Sequence, residues 1–98
     1  MSNDKAIAEI QNFTFSPLYF ELKKEIWGLK QERTDKIVAM LRDKVRFQKE
    51  EYLKQLDDIV AKYDKEDKEI YQSYLWSRSM IISNSIFLLQ LITKIIED

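Results

Sequence analysis

IYQSYLWSRSMIISNSIFLLQLITKII, residues 70–96, is the stretch that decides the fold. It holds neither Gly nor Pro, and its charges are Arg78 and Lys94 alone. Nothing in it stops a helix, and its apolar residues recur at three- and four-residue steps. One stripe is Ile70, Tyr74, Ile81, Leu88, Ile92 and Ile95. A neighbouring stripe is Tyr71, Leu75, Ile82, Ile86, Leu89 and Ile96, and Trp76, Met80, Phe87 and Leu91 lie further round. A helix apolar on several sides has to be covered on several sides. The cover must come from the rest of the chain, a second copy, another protein or a lipid surface. Which of these it is forms the functional question.

The polar residues inside the stretch sharpen it. Ser73/Ser77 and Ser79/Ser83 are small residues four apart that permit close helix approach, and Asn84 lies beside the apolar stripes. The uncharged part, residues 79–93, falls short of the ~20 apolar residues a membrane span needs, and it carries Ser83, Asn84, Ser85 and Gln90. Membrane insertion is therefore disfavoured.

Toward the N-terminus, residues 64–68 (DKEDK) form a break, with Asp64 as cap of a final helix from about Lys65 to Ile96. From Asp35 to Tyr63, Val38, Leu41, Val45, Tyr52, Leu56, Ile59 and Tyr63 keep near-heptad spacing. Glu50/Lys54 and Asp58/Lys62 are i,i+4 pairs of favourable order. These two helices, of about thirty residues and roughly 45 Å each, have a short connector, which favours an antiparallel hairpin.

Upstream, Gly28 and the polar run 30–36 predict a kink or short loop, with Thr34 capping the next helix. A continuous helix is the alternative, since the run contains good helix formers. Ser16-Pro17 opens a helix with Leu18, Leu22, Ile26 and Leu29 on one stripe, widened by Tyr19, Phe20 and Trp27. A first short helix, capped by Ser2 or Asn3, puts Ala6, Ile7, Ile10 and Phe13 on one face. The aromatics group at Phe13, Phe15, Tyr19, Phe20 and Trp27, and again at Tyr63, Tyr71, Tyr74 and Trp76. The expectation is a single helical domain over 1–98, all-α: a long antiparallel hairpin with one or two shorter N-terminal helices as a bundle, and oligomeric.

Composition narrows the chemistry. The chain has 98 residues with one Gly and one Pro, so it can make few turns. It has no Cys and no His. That removes disulfides, thiolate catalysis, zinc–thiolate sites and the usual general base near neutral pH. A single Gly rules out a Gly-rich phosphate loop. The carboxylate pairs Glu50/Glu51 and Asp57/Asp58 diverge on a helix and do not converge on one site. No enzyme, cofactor or metal is expected. The net charge of −1 gives no overall pull toward nucleic acid or anionic membrane. The opening residues MSNDKAIAEI lack the apolar core of a signal peptide, which makes the cytoplasm the expected location.

Function is then expected to be non-enzymatic binding of a protein partner, or of the chain itself, through an apolar helix face, as in a small adaptor, chaperone or inhibitor. The partner-binding candidates are Trp76, Met80, Phe87 and Leu91, with Tyr19, Phe20 and Trp27 as second choice. One rival is a nucleic-acid-binding regulator using Arg42, Lys44, Arg46 and Lys49 within the basic segment 42–49, where Phe47 interleaves. The other is a small immunity-type protein docking on a membrane component. In size and helical style the chain resembles bacteriocin immunity proteins, with no shared motif. Trp27-Gly28 differs from the Trp-x-Gly turn of helical-hairpin secretion substrates, since Leu29 stands where their Gly falls.

Overall fold

The computed structural model describes residues 3–13 and 16–97. The fold is all-α: α1 is Asn3–Asn12, α2 is Ser16–Trp27, α3 is Asp35–Val60 and α4 is Lys68–Glu97. No strand occurs among the described residues. The elements pack as rods in a particle 51 Å long and 16 Å across in both other directions. The suggested caps at Ser2 and the Ser16 side chain, and the aromatic Phe15, lie outside the described residues.

Each helix boundary has a local cause. α2 tightens into a 3-10 turn over Gly28–Lys30, closed by the Gln31 N–H donating to the Gly28 carbonyl at 3.0 Å. Thr34 then caps α3, its Oγ1 accepting from the Ile37 N–H at 3.3 Å. The short loop thus forms where expected, and the continuous helix does not. Gly28 does not force the break, because its φ is not positive. The cap and the polar run end one helix and begin another.

At the other connector the expectation needs correcting. α4 is capped by Asp67, whose Oδ1 accepts from the Glu69 and Ile70 N–H groups, and it begins at Lys68 rather than Lys65. Asp64 instead accepts from the Glu66 N–H, which holds the turn one step earlier. α3 likewise stops at Val60, short of Tyr63. Asp58 and Lys62 are therefore not on one continuous helix, and Lys62 pairs with Glu9 of α1.

Every other element touches α4. The Arg33 guanidinium, just before α3, donates to the Ile95 carbonyl at 3.0 Å, and the Tyr74 hydroxyl of α4 donates to Asp57 of α3 at 2.7 Å. The start of α3 therefore lies by the end of α4, and the end of α3 by its first half. α1 and α2 lie one after the other along α4. Asn3 donates to Asp67, the Ser77 hydroxyl donates to the Ile10 carbonyl at 3.1 Å, and the Tyr19 ring lies 6.1 Å from Phe87.

The core is one cluster. Ala6 and Ile10 come from α1, Leu22 and Ile26 from α2, and Val38, Leu41, Val45, Leu56 and Val60 from α3. Leu29 of the 3-10 turn joins them. α4 supplies Ile70, Ile81, Leu88, Ile92 and Ile95, five of the six residues in its first stripe. The sixth, Tyr74, is partly buried with its hydroxyl satisfied by Asp57. Ser73, Ser77 and Ser85 complete the buried line of α4. Ser79 and Ser83, the other small pair, are exposed, and Asn84 is half-buried. Val60 joins the core from outside the near-heptad pattern because it lies four residues after buried Leu56, on the same face of α3.

Candidate functional site

The expectation that α4 is covered on most sides is not met within the chain. α1, α2 and α3 bury one side of α4 and leave its outer side open. The buried line 70, 73, 77, 81, 85, 88, 92, 95 is a single helical stripe. The second stripe is open at Tyr71, Leu75 and Ile86 and half-buried at Ile82, Leu89 and Ile96.

The flank on the other side carries the first-choice binding residues. Trp76 is 51 % exposed, Met80 41 % and Phe87 46 %, values that exclude them from the core, and Leu91 is half-buried. The second-choice residues lie on α2: Phe20 is 65 % exposed, Trp27 41 %, and Tyr19 is half-buried.

The structure brings parts of the two groups together. Tyr19 packs edge-on against Phe20, with ring centroids 5.4 Å apart, and its ring also lies 6.1 Å from that of Phe87. Beyond that contact, Lys23, Trp27, Lys30, Phe87, Leu91, Lys94 and Ile95 line a cavity of about 410 Å³ between α2 and α4. The Lys30 ammonium lies 4.1 Å from the Trp27 ring centre, and that of Lys23 lies 5.9 Å from Phe87 and 5.8 Å from Tyr19. Trp76 sits apart, toward α1. Trp76 shares a second hollow with Ile7, Gln11, Glu69, Gln72 and Ser73.

Two side-chain clusters hold α1 and α2 in place along this face. Glu9 accepts from Lys62 and from the Tyr63 hydroxyl. The Lys62 hydrogen bond first, and that of Tyr63 second, hold the Glu9 carboxyl below its ordinary value. The same contacts raise Lys62 and Tyr63. On α2, Glu25 accepts from Lys44 of α3 at 3.0 Å through both oxygens. Asp67 is held low chiefly by the Ile70 backbone N–H it accepts from. Burial, then the Asp57 contact, pushes the Tyr74 hydroxyl up.

The basic segment 42–49 is met by acids at close range. Lys44 pairs with Glu25, Arg46 lies 3.9 Å from Asp43 and Lys49 lies 3.4 Å from Glu50. Phe47 is exposed among them. The result is a mixed charged face.

What the sequence did not reveal is the meeting of Tyr19 and Trp27 with Phe87 and Leu91. No local pattern joins positions so far apart. One signal was available: on α2, Tyr19, Lys23 and Trp27 recur at four-residue steps, while Glu21 and Glu25 recur on the opposite flank. Comparison with protein-family models, curated proteins and solved structures returns no match.

Proposed function

We propose that this chain is a non-enzymatic protein-interaction module. In this reading α3 and α4 form a helical hairpin, with α1 and α2 laid along it as a small bundle. It binds a protein partner or its own copy through the outward flank of α4 and the adjoining aromatics of α2, as an adaptor, chaperone or inhibitor does. The observation that carries the reading is the run of exposed Trp76, Met80 and Phe87 beside exposed Phe20 and Trp27. Interface centres are enriched in aromatic residues and Met, and the aromatic rings lose little entropy on fixing. Large apolar side chains left exposed along one flank of a helix suit an interaction surface. With neither Cys nor His in the sequence, binding is preferred over catalysis. The cytoplasm is the proposed location.

The nucleic-acid reading loses ground to local neutralisation, since Lys44, Arg46 and Lys49 each have an acid beside them. Membrane docking keeps one observation in its favour. α4 is long and apolar enough to cross a bilayer by length and composition, and 28 % of its most apolar window is buried. Co-sedimentation with vesicles separates the two: binding to lipid in the absence of protein favours the membrane reading.

The deciding experiment is the double substitution M80E/F87E. The expected result is lost association, measured by analytical ultracentrifugation or by partner retention, with the helical melt nearly unchanged. A melt lowered as far as by a core truncation would assign these residues to the core and sink the proposal.

A further inference from the structure

The same face has two ends of opposite charge. At one end, Asp4 of α1 is exposed one turn before Ile7, and Glu69 of α4 lies with Ile7, Gln11 and Trp76 around the second hollow. At the other, Lys23, Lys30 and Lys94 ring the aromatic cavity, and none of the three forms an ion pair among the described residues. Nearby counter-charges point elsewhere. Glu25 is engaged by Lys44, and Glu21 shares its flank. Lys68 and Glu97 are rotated toward the Leu75–Ile86 side, where Glu97 and Lys94 both border a depression with Ile86 and Leu89 yet form no ion pair among the described residues. Between the ends lie the apolar Trp76, Met80, Phe87 and Leu91.

From this arrangement we infer that the occupant of the face is a second copy of the chain, paired antiparallel about a two-fold axis near residues 80–83. A lipid surface of one sign cannot satisfy two ends of opposite sign, and a parallel copy would set acid against acid. An antiparallel copy sets acid against base twice. A single register does this together with the apolar contacts. Setting Glu69 against the partner copy's Lys94 also sets Trp76 opposite Phe87 and Met80 opposite the small Ser83, because each pair of numbers has the same sum. Glu69, Trp76, Met80, Ser83, Phe87 and Lys94 keep to three- and four-residue steps and their sums, the spacing of a helix-pairing seam. The inference deepens the interaction reading above and rests on it.

Light scattering and sedimentation equilibrium at low and high salt test the pairing. The wild-type chain is expected to dimerise, more weakly as salt rises. E69K and K94E should each weaken the dimer by roughly tenfold, the scale of two symmetry-related ion pairs turned repulsive. E69K/K94E should restore it, because the exchange preserves the antiparallel match. The chain has no native Cys, so introduced ones report geometry cleanly. Oxidation should link Gln72→Cys to Gln90→Cys, which flank the seam on the same side one residue out of register, in a mixture, and neither variant to itself. Failure of the double charge reversal to rescue, or self-linking of Gln72→Cys, overturns the antiparallel arrangement. A monomer at all concentrations overturns self-pairing. That result leaves the interaction reading standing, which falls only if M80E/F87E destabilises the folded monomer.

Discussion

The inner and outer flanks of α4 are both apolar, yet they are built from different residues. Facing α1, α2 and α3 are Ile70, Ser73, Ser77, Ile81, Ser85, Leu88, Ile92 and Ile95, all buried. Facing outward are Trp76, Met80 and Phe87 on one side and Tyr71, Leu75 and Ile86 on the other, all exposed. Aliphatics and serines suit a narrow gap between rods, where Ser77 comes close enough to hydrogen-bond the Ile10 carbonyl. The broad rings stand where no element of the chain closes over them. Hydrophobicity alone therefore does not identify a core residue: Leu75 and Ile86 are exposed while Leu88 and Ile81 are buried, and the side of the helix that meets other elements decides.

The strongest way to break this comparison is to truncate the inner flank. Leu88→Ala removes a fully buried side chain from the middle of α4. It should cost about 2–5 kcal/mol, a large share of the roughly 5–15 kcal/mol that holds a domain folded. Chemical denaturation checks it. Next comes overfilling the same flank. Ser77→Leu places a larger side chain against α1 in place of a satisfied hydroxyl, and should cost about 1–3 kcal/mol. A neutral result would show that α1 can move aside. On the outer flank, M80E/F87E should shift stability by about 1 kcal/mol or less while abolishing association, the reverse of the inner-flank outcome.

The smallest effect concerns the attachment of α1. Glu9 titrates below its ordinary value of 4.5 in the folded chain. Its contribution is thus fully present above that value and fades as pH falls through the lower folded value. Acidification below 4.5 should loosen α1 from the α3–α4 connector. Glu9→Gln should flatten the pH dependence of the thermal melt in that range. An unchanged profile would assign the acid response to other carboxylates, Asp67 first among them.

Helix-making signals were local and therefore legible. Thr34 caps α3 because its hydroxyl reaches three residues on, and the stripe through Ile70, Ile81, Leu88, Ile92 and Ile95 results from helical periodicity alone. Asp64 and Asp67 were harder to tell apart, since both are sound caps locally. Asp67 is the one held from outside the connector, by Asn3 of α1.

The sequence by itself determined an all-α chain, the break before Thr34, the apolar stripes of α4 and the scarcity of catalytic groups. These depend on residue type and on neighbours within a turn or two. Only the tertiary structure decided which apolar stripe is sheltered, because three rods have one shared interior and each can turn only one side to it. It also decided that Tyr19 and Trp27 lie beside Phe87 and Leu91. The alignment of α2 along the end of α4 depends on the loop at 31–34 and on packing between distant residues, which no local pattern encodes.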